Sequence, residues 1–107
     1  MARSADRVLN REDTECHVSI VTAWEIALNH TLRLTMSDVE TGLARISAVL
    51  LPINFQHLDE LSRLPLYTNH RDPFDRLLIA QAIVEDLSMV SSDMRFADYK
   101  RLRVLWD

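Results

Sequence analysis

Three acidic side chains occupy positions where a carboxylate is unusual, and together they could bind a divalent metal ion. Glu25 lies four residues after Val21 and three before Leu28, inside the apolar stripe Val21, Trp24, Leu28 and Leu32, which a helix would turn toward the core. Asp75 is in register with a second apolar stripe, and Asp93 directly follows a short apolar segment. An all-oxygen set of carboxylates is what Mg²⁺ and Mn²⁺ prefer, with waters and a substrate phosphate completing the coordination. The residue types therefore indicate a pocket for a hard cation.

Each of these carboxylates also has an ordinary structural explanation. Glu25 could meet a cation from elsewhere in the fold, or lie where the stripe reaches solvent. Asp75 falls at the third position of a helix capped by Asp72, where it would complement free amides and the helix dipole. Asp93 could cap a short helix that starts at Met94. Because all three carboxylates are expected at one end of the sheet, a shared metal site is favoured over three separate structural roles.

Strands alternate with helices along the chain, which predicts an α/β fold. Strands are expected over residues 17–20, 50–55, 88–92 and 103–106, and helices over 2–10, 21–30, 37–49, 56–64, 73–86 and 94–99. Because the chain lacks the glycine-rich turns of β-hairpins, the strands are expected to pair in parallel, in a sheet flanked by helices. The carboxyl ends of such strands share one edge, which would gather the three acidic groups.

Local signals predict how several of these elements begin. Ser37, followed three residues later by Glu40, matches a capping box. Asp72 is a good N-cap, and Pro73 is tolerated at the first helical position. Pro52 interrupts an apolar run, so the strand there should lie near a sheet edge or begin at the proline.

Composition excludes several kinds of site. The chain has 107 residues and a net charge of −4, so an RNA partner would need local basic groups or a bound cation. The single glycine, Gly42, excludes a Walker loop or a dinucleotide fingerprint, and the single cysteine, Cys16, excludes an internal disulfide or a cysteine-rich zinc site. The sequence shows neither a secretion leader nor a membrane-length apolar run, which predicts a cytoplasmic protein without a membrane partner.

Several segments follow one another in an order and spacing typical of one protein family. They are Trp24-Glu25-Ile26-Ala27, the block HRDPFDRLLIAQA over residues 70–82, Ser92-Asp93 followed by Arg95-Phe96, and the terminal Val104-Leu105-Trp106. These segments resemble the PIN-domain family, in particular the VapC-like toxins of bacterial toxin–antitoxin pairs. The resemblance covers nearly the full length from Val18 onward, and the central block is its most specific part. It implies a three-layer sandwich in which helices flank a parallel sheet.

The resemblance also implies an activity, metal-dependent cleavage of RNA. Glu25, Asp75 and Asp93 would be the second, third and fourth acidic groups of the family, acting as catalytic residues and as ligands of Mg²⁺ or Mn²⁺. Asp72 would serve as the helix cap. A metal held there would activate water for attack on an RNA phosphodiester. A cognate antitoxin that places a basic side chain in the acidic pocket is implied as well.

The opening of the sequence departs from the family pattern. The apolar first strand, which carries an acidic ligand in the family, is missing, and MARSADRVLNRED resembles the helical segment that follows that strand. The resemblance therefore predicts a single PIN-like domain over residues 1–107, truncated at its N-terminus, without its first central strand. An unfilled place in the sheet would favour association into a homo-oligomer. Loss of one of four carboxylates would lower metal affinity and turnover.

Two arginines flank the predicted acidic pocket. Arg71 and Arg76 could bind RNA phosphate, or they could pair with Asp72 or with groups near Glu85. The leading interpretation of the chain is a ribonuclease toxin. The alternative is a catalytically inactive PIN-fold module that binds an antitoxin or a second copy of itself.

Overall fold

A computed structural model describes residues 14–67, 72–91, 98–99 and 101–106, which form a mixed α/β protein. The strands are β1 (His17–Ser19), β2 (Val49–Leu51), β3 (Met89–Ser91) and β4 (Val104–Trp106). The helices are α1 (Ile20–Leu28), α2 (Met36–Arg45), α3 (Phe55–Arg63) and α4 (Pro73–Val84), with a 3₁₀ helix over His30–Leu32. The predicted α/β class is confirmed. The helices predicted over 2–10 and 94–99 fall largely or wholly outside the described residues.

The four strands pair in parallel, as the absence of hairpin turns predicted. His17 lies opposite Val49 in the pair of β1 and β2, and Met89 lies opposite Val104 in the pair of β3 and β4. Each pair forms a two-stranded sheet of its own within the described part of the chain. Parallel strands need a crossover connection, which α1 and α2 provide between β1 and β2.

The chain divides into two compact units. One unit consists of residues 15–53 and contains β1, α1, α2 and β2. The other combines residues 1–14 with residues 54–107 and contains α3, α4, β3 and β4. The single domain predicted over residues 1–107 stays a prediction. Among the described helices, none has the length and apolar character that a membrane crossing requires.

The larger hydrophobic core belongs to the unit that contains α4. Ile79 and Ala80 are fully buried there, and Leu64, Tyr99 and Leu102 are at most 9% exposed. The sequence of α4 is apolar around most of its circumference, which is typical of a helix covered on more than one side. This burial fixes the direction in which the first turn of α4 presents its polar side chains.

The unit of residues 15–53 buries fewer apolar side chains than the sequence predicted. Val21, Trp24, Leu28 and Leu32 were expected to form one core-facing stripe, but only Val21 is buried among them. The prediction is wrong for the other three, which are about half exposed. Ala23 is buried as well, on a different side of α1, because it lies only two residues after Val21. The short two-stranded sheet offers too little area to cover the whole stripe, and the helix has ended before Leu32.

The capping box of α2 begins two residues before the predicted one. The Thr35 hydroxyl accepts a hydrogen bond of 3.0 Å from the Asp38 amide, and the Asp38 carboxylate accepts one of 2.8 Å from the Thr35 amide. Ser37 and Glu40 lie inside the helix, so the prediction that they form the box is wrong. Two capping patterns overlap here, and the extended backbone at Thr35 selects the earlier one. The hydrogen bonds from the Thr35 amide and hydroxyl hold the pKa of Asp38 below its usual range.

The end of α2 also differs from the prediction. The helix ends at Arg45 and not at Val49, because Ser47 adopts a left-handed conformation with φ 53°. The amide after Ser47 donates a 2.9 Å hydrogen bond to the Leu43 carbonyl, closing a Schellman motif. The chain then enters β2, which ends before Pro52 instead of beginning there. A proline has no amide to donate to the strand ladder.

Gly42 lies in α2, where alanine is more favourable, and Ser47 follows the helix with a left-handed backbone that favours glycine. Both positions give a stability prediction. Gly42 lies inside the helix, where an added Cβ would meet no atom within 4 Å. Gly42→Ala should therefore raise the free energy of unfolding by about 1 kcal/mol, and Ser47→Gly by about 0.5–1 kcal/mol. Urea denaturation followed by circular dichroism measures both changes. Ser37→Gly, the same substitution inside the helix, should lower stability, and a loss in Ser47→Gly would contradict the left-handed backbone.

Candidate active site

The N-terminus of α4 places Asp75 in the first turn of a well-capped helix. An Asp72 carboxylate oxygen accepts hydrogen bonds from the amides of Phe74, at 2.9 Å, and Asp75, at 3.2 Å. Pro73 occupies the first turn beside the cap, so the predicted cap at Asp72 is confirmed. Asp75 is half-buried, whereas Asp72 is exposed. The start of α4 thus carries two carboxylates: Asp72 caps the helix, and Asp75 in the first turn is less exposed.

Glu25 lies on the helix that follows β1 without an intervening loop. Ser19 ends β1 and caps α1, because its side-chain oxygen accepts a 3.0 Å hydrogen bond from the Val21 amide. Glu25 comes six residues after Ser19, about 9 Å along the helix axis from the end of the strand. Its side chain is half-buried. The part of Glu25 in an acidic site stays a prediction.

Arg76 is buried, and its guanidinium group donates hydrogen bonds inside the protein. Its Nη1 atom lies 2.7 Å from the Pro65 carbonyl and 3.4 Å from the Tyr99 hydroxyl, and Nη2 lies 3.3 Å from the Leu64 carbonyl. The residue is only 7% exposed. These contacts favour the structural alternative for Arg76 over a phosphate contact. Its acceptors are main-chain carbonyls and a hydroxyl, and not the carboxylates that the sequence suggested.

The family of the chain is decided by a match over nearly its whole length. The PIN domain family matches residues 1–102. This chain is a PIN domain. No curated protein matches it. PIN domains are generally nucleases, and the parallel α/β architecture of the described residues agrees with the family.

The predicted site residues of this PIN domain fall in different parts of the chain. Glu25 belongs to the unit of residues 15–53, and Asp75 to the unit that contains α4. Asp93 and Arg71 lie outside the described residues. In the described part of the chain, no group of three or more histidine, cysteine, aspartate or glutamate side chains is arranged to hold a metal. The convergence of Glu25, Asp75 and Asp93 therefore stays a prediction.

The donor chemistry of the two described carboxylates fits a hard divalent cation. Glu25 and Asp75 supply only oxygen ligands, and each side chain is neither fully buried nor fully exposed. Mg²⁺ in proteins commonly takes one or two carboxylates and keeps several waters. Partial burial leaves part of each carboxylate accessible to water. The PIN domain thus carries a suitable ligand type at both described positions.

A buried polar network that the sequence analysis missed connects α3 to α4. The His57 ring is fully buried, and its Nδ1 atom accepts a 3.2 Å hydrogen bond from the Asn54 amide. Its Nε2 atom lies 2.8 Å from the Glu85 carboxylate, and Gln81 Nε2 lies 3.4 Å from Nδ1. The signal for this contact was Asn54 followed three residues later by His57, a variant of the capping box. Full burial keeps His57 away from substrate, so its role is to hold the two helices together.

Proposed function

We propose that this PIN domain is a metal-dependent endoribonuclease, acting in the cytoplasm as the VapC-like toxin of a toxin–antitoxin pair. The family match over residues 1–102 carries the proposal. The half-buried carboxylates of Glu25 and Asp75, each on a helix that the sequence pattern had predicted, support it. Its substrate is RNA, and its protein partner is a cognate antitoxin.

Glu25, Asp75 and Asp93 are the proposed ligands of Mg²⁺ or Mn²⁺ and the catalytic residues. The bound metal would supply an activated water and neutralise charge on the phosphoryl oxygens. Asp72 fixes the first turn of α4, and with it the orientation of Asp75. Arg71 is proposed to bind an RNA phosphate near the carboxylates. Local positive charge of this kind is needed because the chain carries a net charge of −4.

RNA cleavage in the presence and absence of the metal tests the proposal. A structured RNA incubated with Mn²⁺ or Mg²⁺ should be cleaved, and EDTA should stop cleavage. Asp93→Asn should reduce the rate by about 100-fold or more, since an amide is a poor ligand for these ions. The exposed Asp98 offers a matched control, and Asp98→Asn should cleave at the wild-type rate. Cleavage unaffected by Asp93→Asn would remove the metal-carboxylate mechanism.

A catalytically inactive partner-binding module is the second candidate, and the exposed apolar residues of the unit 15–53 favour it. Trp24 is 50% exposed, Leu28 57% and Leu32 48%. Clustered apolar exposure of this kind is typical of a surface covered by another protein, here the antitoxin or a second copy in a homo-oligomer. Capture by the antitoxin, with no metal binding in calorimetry and no RNA turnover, would favour this alternative. Tight Mg²⁺ binding together with turnover would exclude it.

A further inference from the structure

A cavity of about 160 Å³ lies in the unit that contains α3 and α4. It is lined by apolar and aromatic side chains together with charged ones; they include Tyr67, Ile83, Tyr99, Glu60, Arg63 and Arg101. Ile83 comes eight residues after Asp75 on α4, about 12 Å along the helix axis. The cavity is also lined by Leu64, Pro65 and Tyr99, whose oxygens accept hydrogen bonds from Arg76, the residue after Asp75.

The guanidinium group of Arg101 is oriented by a buried carboxylate. The Glu60 side chain is 5% exposed and accepts two hydrogen bonds from Arg101, at 3.0 Å and 2.8 Å. A guanidinium has five N–H donors, and the side chain of Arg101 is 67% exposed. The remaining donors can reach a ligand, while the bidentate pair fixes the plane of the group beforehand.

A second cation, Arg63, lines the same cavity with most of its donors unused. Its Nη2 atom donates a 2.7 Å hydrogen bond to Asp59 one helical turn earlier, and its side chain is 65% exposed. An exposed pair of this kind is weak and exchanges readily with another anion. The charged side chains that line the cavity are Arg63, Arg101 and Glu60, and Asp59 pairs with Arg63, so the local charges balance. The cavity therefore offers an anionic ligand directional N–H donors and no net positive charge.

Tyr67 provides a fixed aromatic surface in the cavity. Its ring contacts that of Tyr99 edge to face, with centroids 5.0 Å apart and an interplanar angle of 88°. Its hydroxyl donates a 2.9 Å hydrogen bond to the Asp98 carbonyl. Tyr99 is buried, whereas Tyr67 is half-buried and partly open to a ligand. Nucleic-acid bases bind such rings by stacking, with little dependence on sequence.

We propose that this cavity binds one nucleotide of a single-stranded RNA, its phosphate on Arg63 and Arg101 and its base against Tyr67. The inference rests on the proposed ribonuclease function and adds a contact apart from the metal-binding carboxylates. It supplies exposed guanidinium donors, which buried Arg76 does not provide. The unused guanidinium N–H donors beside an aromatic ring match a phosphate and a base better than the apolar side chain of a protein partner, which would leave those donors without an acceptor.

RNA binding in EDTA tests the cavity without cleavage. The probe is a short, fluorescein-labelled single-stranded RNA of mixed sequence, and its anisotropy reports binding to the full chain. Arg63→Gln and Tyr67→Leu should each weaken binding by about threefold to tenfold, and Arg63→Gln should lower the salt slope by about 0.7. Arg101→Lys keeps the charge beside Glu60 and should weaken binding about threefold, because an ammonium group lacks the paired, planar N–H donors of the guanidinium group. The exposed Arg45 of α2 is the matched control, and Arg45→Gln should bind as wild type.

The outcomes separate this inference from the proposed function. Equal weakening by Arg63→Gln and Arg45→Gln would indicate bulk charge and overturn the cavity site. Wild-type binding by both Arg63→Gln and Tyr67→Leu would overturn it as well, even if Mn²⁺-dependent cleavage is observed. If the nuclease proposal is right, Asp93→Asn loses cleavage and keeps RNA binding in EDTA. If the nuclease proposal fails, cleavage is absent or unaffected by Asp93→Asn, while RNA binding in EDTA still depends on Arg63 and Tyr67.

Discussion

Asp75→Asn should abolish metal-dependent RNA cleavage, with a loss of about 100-fold or more, whereas Asp72→Asn should leave the rate within about twofold of wild type. Both substitutions convert a carboxylate to an amide at the start of α4. Asn caps a helix as well as Asp does, and Asp72 is exposed, so its replacement should preserve both the helix and the reaction. Asp75 is the proposed metal ligand, and a neutral amide there weakens the binding of a hard cation.

The pair of variants also tests the simpler explanation of Asp75, that it only complements the helix N-terminus. That role predicts a loss of about 0.3–1 kcal/mol in the free energy of unfolding with no change in rate. Single-turnover cleavage and urea denaturation, measured on the same preparations, distinguish the two roles. Partial recovery of Asp75→Asn at high Mn²⁺ would add support for ligation. Cleavage by Asp75→Asn at the wild-type rate would remove Asp75 from the site.

Arg76→Met should destabilise the protein by about 3 kcal/mol, a large share of the stability of a domain of this size. The substitution leaves the Leu64 and Pro65 carbonyls without the donors that they have in the structure. Buried acceptors that lose a charged donor are costly to leave unpaired. Urea denaturation measures the change, and Arg76→Lys should fall between Arg76→Met and wild type because one ammonium group replaces two donor nitrogens.

Arg63→Met is the matched control for this effect. It removes an arginine whose side chain is 65% exposed and paired only with Asp59 one turn earlier, so the expected loss is about 0.5 kcal/mol or less. Folded Arg76→Met should still bind the RNA probe in EDTA. Unchanged stability combined with a specific loss of RNA affinity would mean that Arg76 binds phosphate, as one of the two sequence interpretations held.

The parts of the fold that the sequence predicted well are those decided by neighbouring residues. Asp72 and Pro73 specify the start of α4 through one side-chain acceptor and one fixed φ, and no distant contact is needed. The start of α2 was harder, because Thr35 with Asp38 and Ser37 with Glu40 carry the same chemistry two residues apart. Only the backbone conformation at Thr35 selects between them.

The parts that the sequence could not predict depend on packing between distant segments. The apolar stripe on α1 has the spacing of a core helix, yet Trp24 and Leu28 are half exposed, since periodicity does not say how much surface will cover a helix. The sequence left a phosphate contact and an ion pair open for Arg76, and it missed the actual acceptors because the Leu64 and Pro65 carbonyls carry no side-chain signal. Tyr67 and Arg101 likewise meet in one cavity through the tertiary fold alone.

The imidazole of His57 on α3 can serve as a spectroscopic probe of the packing between α3 and α4. The Asn54 amide donates to Nδ1 of His57, which places the ring proton on Nε2, where it faces Glu85 at 2.8 Å. A ring proton that is sealed from solvent exchanges slowly and resonates apart from the crowded amides. Its nitrogen-15 correlation would disclose, in a single spectrum of any variant, whether the two helices are still docked.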